Sequence, residues 1–152
     1  MTDGNRSSLE AVFRRAPLAR LLGIELVEWE GGRARMRWVS GPDHCNINGV
    51  VHGGALFSLA DAALEVASNS WGRMCVAISM EAQFLSPARQ GDVLVAEARE
   101  RGRSRRVGGY LIDVIAETDP DTILASFQAT VFRTDNWHLG PEAWTDGWKN
   151  GH

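Results

Sequence analysis

The most hydrophobic run of the chain lies in NINGVVHGGALFSLADAALEVASNS, residues Asn46–Ser70. This stretch begins as a polar loop, places a histidine before two glycines, and continues as an apolar run with three- and four-residue spacing. This spacing predicts one long, mostly buried helix from Gly53 to about Trp71, with Gly72 as its C-terminal glycine. The run carries an aspartate, Asp61, in its middle. Such a group is either tolerated on a half-exposed face or held there for chemistry.

Alternating apolar and polar residues on both sides of the helix predict β-strands. Upstream, GIELVEWEGGRARMRWVS contains two runs around a Gly-Gly pair, which is typical of a hairpin. Downstream, four runs are separated by turn sequences and predict a meander. In the first of these, CVAISMEAQFL, we expect one face to carry Val76, Ile78, Met80, Ala82 and Phe84. The pattern therefore predicts an α+β domain in which one face of an antiparallel sheet packs on the helix.

The two ends of the chain have their own patterns. Residues 9–22 read as a short amphipathic helix that Pro17 interrupts. From Thr134 onward the periodicity stops, yet the segment contains Trp137, Trp144 and Trp148. Because a solvated tail seldom contains so much tryptophan, we expect it to pack on the domain or on a partner. We therefore divide the chain into a domain of residues 1–133 and a tail of residues 134–152.

The composition of the chain disfavours several functional classes. A length of 152 residues with 44% hydrophobic and 23% charged residues fits one folded domain. The net charge of −3 gives no general attraction to nucleic acid or to an anionic membrane, and we expect neither as a partner. We find no membrane-spanning run or signal peptide, and the two cysteines predict no disulfide framework, so we expect a cytoplasmic protein. The spacing of His44, Cys45 and His52 does not fit zinc, and we expect no metal site.

The distance between the start of the central helix and Asp61 bears on how the two could act together. The first N–H groups of a helix that begins at Gly53 lack intrahelical acceptors and suit a polarised carbonyl oxygen. Asp61 lies eight residues further on, about 12 Å along the axis, which is too far to act on the same carbonyl. Two antiparallel copies of the helix in a homodimer would bring Asp61 of one chain beside Gly53 of the other. The residues that share the helix stripe of Asp61 are Phe57, Leu64, Glu65 and Ser68.

This segment resembles the phenylacetic-acid-degradation (PaaI) type of hotdog-fold acyl-CoA thioesterases. The resemblance implies a curved antiparallel sheet wrapped around one long central helix. It also implies hydrolysis of an acyl-CoA, with aromatic acyl groups among the candidates, by a homodimer or homotetramer. Coenzyme A is then part of the substrate, and no separate cofactor is expected. The resemblance extends into FLSPARQGDVLVAEA, covers roughly residues 22–133, and is carried by Asn46, His52-Gly53-Gly54, Phe57-Ser58-Leu59-Ala60-Asp61 and Asn69-Ser70.

The resemblance also implies roles for individual residues. Asp61 would be the general base or the nucleophile, and the Gly53 N–H would polarise the thioester oxygen. His52 and Asn46 would orient the loop, the substrate carbonyl or the attacking water. The family often has Ser or Thr near the start of the strand after the helix to place water, and Ser79 is the candidate here. The residues expected to contact the substrate are Gly54, Phe57, Leu64, Glu65, Ser79, Arg103, Arg105 and Arg106.

Several alternatives remain open at the level of sequence. The basic segment RERGRSRR, residues 99–106, suits the phosphates of coenzyme A, but it could also be a solvated charged turn. A thiol nucleophile at Cys45 beside His52 would lack an orienting third group. A hydroxyacyl dehydratase on the same fold would need a proline-rich loop after the histidine, which HGGALF does not provide. A non-catalytic acyl-CoA-binding protein of this fold is the remaining alternative.

Overall fold

A computed structural model describes residues 1–144 of the chain. Its helices and strands follow one another in the order that the sequence patterns predict. Single turns of 3-10 helix lie at Pro42–His44 and Pro141–Ala143. No helix in these residues is long and apolar enough to span a membrane. The helices are α1 (Asp3–Phe13), α2 (Pro17–Leu22) and α3 (Gly53–Asn69), and the strands are β1 (Glu25–Glu30), β2 (Arg33–Val39), β3 (Arg73–Phe84), β4 (Val93–Arg103), β5 (Val107–Ala116) and β6 (Asp119–Trp137).

The helix ends differ from the predicted ones for local reasons. The first helix begins at Asp3 rather than near residue 9, because the Thr2 hydroxyl caps it by accepting the N–H of Asn5. Pro17 starts a second helix instead of interrupting one, since proline is favoured at the first helical position. The central helix α3 ends at Asn69, two residues earlier than predicted. Gly72, with φ of 84°, then turns the chain into β3.

All six strands form one antiparallel sheet in the order β1-β2-β4-β5-β6-β3. The predicted hairpin of β1 and β2 is confirmed, and so is the meander from β4 to β6. The prediction that β3 belongs to this meander is wrong, because β3 pairs with β6 at the edge of the sheet and not with β4. Helix α3 connects β2 to β3 and packs on all six strands, which requires the sheet to curve around it. The curved antiparallel sheet around one long helix is therefore confirmed.

Strand β3 changes faces part of the way along its length. A β-bulge between Ala77 and Ser79 inserts one extra residue, so the alternation shifts by one position. Ala77 and Met80 both pair with buried residues of β6, and Met80 packs against the core. The prediction that Val76 and Ile78 share the face of Met80 is therefore wrong. These two side chains are 54% and 60% exposed.

The C-terminal segment is continuous with the sheet. Strand β6 runs through residue 134 to Trp137, so no structural break lies at the predicted boundary between domain and tail. Trp144 is 2% exposed and its ring centroid lies 6.0 Å from that of Trp137. The Asn5 amide donates a hydrogen bond to the Ala143 carbonyl at 2.7 Å. The described part of the tail therefore packs on the domain, while Trp148 lies outside the described residues.

The contact between Trp144 and Gly72 leads to a stability prediction. A Cβ added at Gly72 would lie 2.1 Å from the Trp144 ring, at a positive φ that side chains rarely adopt. We expect Gly72→Ala to lower the free energy of unfolding in urea by about 2–4 kcal/mol. The matched control is Gly4→Ala in α1, where the added methyl group meets nothing within 4 Å. An unchanged unfolding midpoint for Gly72→Ala would mean that Trp144 does not cover this glycine.

Candidate active site

His52 forms the cap of the central helix. Its backbone is extended, with φ of −64° and ψ of 137°, and its Nδ1 accepts the N–H of Gly54 at 2.8 Å. A ring nitrogen that accepts a hydrogen bond carries no proton, so the neutral imidazole holds its proton on Nε2. The Gly54 N–H is therefore already paired with His52 and is not available to a substrate. The prediction that Gly54 contacts the substrate is corrected to exclude this N–H.

The N–H of Gly53 is the donor that this cap leaves open. Among residues 1–144, no atom accepts a hydrogen bond from it. A Cβ on Gly53 would lie 3.1 Å from the ring of Phe84, so only glycine fits here without moving a neighbour. The first turn of α3 therefore presents a free backbone donor beside the Phe84 ring, and such a donor suits a polarised carbonyl oxygen.

Asn46 organises the loop that leads to this turn. Its side-chain oxygen accepts the N–H groups of Asn48 and Val50 at 2.9 and 3.4 Å. Its backbone N–H donates to the Val50 carbonyl at 2.8 Å, and Gly49 takes a positive φ of 76° between them. These hydrogen bonds hold the loop that leads to α3.

Two carboxyl groups lie on one stripe of α3. Asp61 is half-buried, and this burial raises the pKa of its carboxyl group. Among residues 1–144, no cation or hydrogen-bond donor pairs with that carboxylate. Glu65 follows one turn later, and loss of water around its carboxyl group, then the charge of Asp61, raises its pKa as well. Both acids hold their protons more tightly than acids in water do.

Leu64 does not belong to this stripe. It is 1% exposed and lies in the hydrophobic core, so its prediction as a substrate-contacting residue is corrected. At about 100° per residue, Leu64 is turned about 60° from Asp61, whereas Glu65 is turned about 40° to the other side. The first rotation points toward the sheet and the second away from it.

Three phenylalanines form an apolar wall beside Gly53. The rings of Phe57 and Phe127 lie edge to face at 5.7 Å, and those of Phe84 and Phe127 do so at 5.9 Å. Phe57 was predicted to contact the substrate, and it is partly buried in this wall. The role of Phe84 was missed, although the alternation in β3 had placed it on the helix-facing side. Its contact with Gly53 depends on which edge β3 occupies, and this is a long-range property.

Ser79 lies on the wrong face of the sheet for its predicted role. The bulge after Ala77 turns it outward, where it pairs with Thr130 and is exposed. It therefore cannot place water beside α3 of its own chain.

Neither cysteine is arranged as a thiol nucleophile. The Cys45 thiol donates to the Gly41 carbonyl rather than to His52, and burial raises the pKa of Cys75 to about 11.

Arg103 has a structural role. Its side chain is only 5% exposed and it bonds both oxygens of the Glu100 carboxylate at 2.8 and 3.0 Å. Its guanidinium group lies 3.6 Å from the ring centroid of Trp71. Glu100 also accepts hydrogen bonds from Trp71 and Tyr110. The prediction that Arg103 contacts the substrate is therefore corrected, because this network holds its charge inside the fold.

The other two predicted arginines lie at the same turn with more freedom. Arg105 is exposed, and the side chain of Arg106 is 42% exposed. Arg106 forms an ion pair of 2.8 Å with Asp135.

Within residues 1–144, no three potential metal ligands of the His, Cys, Asp and Glu types come together. The structure thus gathers Asn46, His52, Gly53 and Phe57 at the helix entrance and leaves the basic turn at a separate place on the fold.

Several known proteins are similar to this chain in sequence and in fold. Residues 48–123 match the Thioesterase superfamily. A protein of Archaeoglobus fulgidus that is named as an esterase is 33% identical over 124 residues, which cover 82% of this chain and 79% of that protein. The acyl-coenzyme A thioesterase PaaI of Escherichia coli K12 is 34% identical over 105 residues, covering 69% and 75%. The structure of E. coli PaaI, from the phenylacetic acid degradation operon, aligns with a TM-score of 0.82 at 29% identity and covers 88% of this chain and 95% of that one.

Proposed function

This chain belongs to the thioesterase superfamily and has the hotdog fold, and we propose that it hydrolyses acyl-CoA thioesters to a free acid and CoA. The observation that carries this proposal is the presence, on one helix, of an open Gly53 N–H and an unpaired, half-buried Asp61 carboxyl group in the described part of the chain. The similarity to an acyl-coenzyme A thioesterase supports the substrate class. The phenylalanine wall beside Gly53 supports an apolar acyl group, aromatic ones included.

We propose that each site is shared by two subunits. Gly53 and Asp61 are about 12 Å apart along one helix, so a single chain cannot apply both to one carbonyl. Antiparallel packing of two α3 helices would bring them together. The open edge of β3 supports such a dimer, because its twelve residues leave backbone groups unpaired and expose Val76 and Ile78. Association of two dimers into a tetramer remains a prediction.

In the proposed reaction, the Gly53 N–H of one subunit donates to the thioester oxygen and stabilises the oxyanion. Asp61 of the other subunit either attacks the carbonyl carbon or removes a proton from an attacking water molecule. When water attacks, the tetrahedral intermediate collapses, the C–S bond breaks, and CoA leaves as its thiol with the proton that Asp61 removed. When Asp61 attacks, CoA leaves as its thiolate, and water then hydrolyses the mixed anhydride, which releases the free acid, restores the Asp61 carboxylate and supplies the proton of the thiol. Because burial raises the pKa of Asp61, its carboxylate is a stronger base than an aspartate in water.

The proposal is tested by following release of free thiol from a panel of acyl-CoAs that differ in chain length and ring content. We expect hydrolysis with a preference among apolar acyl groups. Tight binding of acyl-CoA without release of thiol would instead identify a non-catalytic binding protein. Addition of water to an enoyl-CoA would identify a dehydratase.

The raised pKa of Asp61 leads to a prediction for the pH dependence. The base must be ionised to act, so kcat/KM should fall as the pH drops through the raised pKa of Asp61. We expect this decline to be centred above the 3.8 of an ordinary aspartate. Glu65→Gln is the matched control, because its acid limb should persist if Asp61 is the titrating base. A limb centred at or below the ordinary aspartate value, or one that disappears in Glu65→Gln, would contradict this assignment.

A further inference from the structure

The carboxylate of Asp135 bridges two arginines near the basic turn. Its Oδ1 lies 2.9 Å from Nη2 of Arg73, and its Oδ2 lies 2.8 Å from Nη1 of Arg106. The Asp135 side chain is 66% exposed, whereas those of Arg73 and Arg106 are 9% and 42% exposed. The bridge therefore has one end inside the fold and one end at the surface.

The two arginines depend on Asp135 to different degrees. Arg73 also donates from Nε to the Thr134 carbonyl at 2.8 Å and from Nη1 to the Arg105 carbonyl at 3.2 Å, and it lies over the ring of Trp137. For Arg106, Asp135 is the acid that forms an ion pair among residues 1–144. Loss of the outer half of the bridge would therefore leave Arg73 held by two carbonyl groups. Arg106 would keep its contact with the Phe132 ring but would have no acid partner among these residues.

The surroundings of Arg106 are basic. Arg105 is exposed at the same turn and Arg101 is exposed on β4, two residues before that strand ends, and neither forms a salt bridge within residues 1–144. Arg103 is unavailable because Glu100 holds it. An anion that approaches this turn thus meets the guanidinium group of Arg105 directly. It also meets that of Arg106, which is already occupied by a carboxylate of the same chain.

We propose that Asp135 is an internal counter-ion that competes with the phosphate groups of CoA for Arg106 and so sets the affinity for CoA substrates. This inference rests on the proposed function. Carboxylate and phosphate bind a guanidinium group through the same paired N–H donors. An exposed ion pair is weak, so a phosphate with its higher charge can displace one oxygen of Asp135 from Arg106. Arg73 keeps the other oxygen, and the displaced carboxylate stays paired.

The test measures equilibrium binding of free CoA, and of pantetheine as the probe without phosphates, by calorimetry at low salt. We expect Asp135→Asn to tighten CoA binding by about two- to fivefold and to leave pantetheine binding unchanged. The gain should shrink as salt screens the phosphates. In an Arg106→Gln background, Asp135→Asn should give no gain. Asp121→Asn makes the same charge change at the far end of β6 and should leave CoA binding unaltered.

Several results would overturn the inference. They are an unchanged or weaker CoA affinity in Asp135→Asn, an equal gain for both probes, a gain that survives Arg106→Gln, or an equal gain in Asp121→Asn. Failure of the wild-type protein to bind CoA would overturn it too. The proposed function is read separately from thiol release. Normal CoA binding without release of thiol refutes that function and leaves the role of Asp135 to be decided by the binding data.

Discussion

Replacing Asp61 with asparagine will remove almost all thioester hydrolysis, with kcat lower by about 10²–10⁴-fold. Asparagine keeps the size of the side chain, but it can neither attack a carbonyl carbon nor accept a proton at neutral pH. The measurement is release of free thiol from the best acyl-CoA of the panel, under saturating substrate. Because the loss concerns the chemical step, KM should change far less than kcat.

The same substitution should not destabilise the fold. Burial raises the pKa of Asp61, so its ionised form opposes folding. This cost appears as the pH rises above the pKa of the unfolded chain and is complete above the higher folded-state pKa. At neutral pH, Asp61→Asn should therefore be as stable as the wild type or more stable, and at low pH the two should converge. Retention of more than a tenth of the activity would contradict the catalytic role of Asp61. Loss of the fold would contradict the expected stability of the variant.

Replacing Gly53 with proline should remove the oxyanion donor and lower kcat by about 10²–10³-fold. Proline has no N–H, yet it is favoured at the first position of a helix. The extended backbone of His52, with ψ of 137°, is the conformation that a following proline needs. The Phe84 ring, which is 54% exposed, has room to move away from the new side chain. We therefore expect a folded but nearly inactive protein.

Mixing the two inactive variants provides the decisive experiment for a shared site. In a heterodimer of Gly53→Pro and Asp61→Asn chains, one site carries both defects and the other carries neither. A statistical one-to-one mixture should recover about a quarter of the wild-type activity, since half of the dimers are mixed and each has one intact site. Differently tagged chains allow the mixed dimers to be purified and counted. Verified heterodimers that stay inactive would exclude a site formed by two subunits.

Local sequence patterns predict the elements of this fold well, because each depends on near neighbours. The apolar spacing after Gly53 identifies α3, and alternation identifies six strands. The partner of β3 could not be predicted, because pairing with β6 is decided by how the chain returns after α3 and not by the residues of β3 themselves. The bulge at Ala77 likewise has no clear local signal, and with it the outward position of Ser79 was missed.

The candidate site was predictable to the extent that it belongs to one segment. His52, Gly53 and Asp61 are close in sequence, and helix geometry fixes their relation. Leu64 was misassigned because a rotation of about 60° on the helix separates a core residue from a surface one. Arg103 was misassigned because its charge is satisfied by Glu100 in a network that also includes Trp71 and Tyr110, and Tyr110 comes from the neighbouring strand β5.

The open edge of β3 has a consequence for how much catalyst a given amount of polypeptide provides. If each working centre requires two chains joined along that edge, then below the dissociation constant the number of centres grows with the square of the chain concentration. Specific activity per milligram should consequently fall on dilution and recover on concentration. The abundance of the polypeptide would then act as a threshold, below which synthesis of more chains yields little turnover.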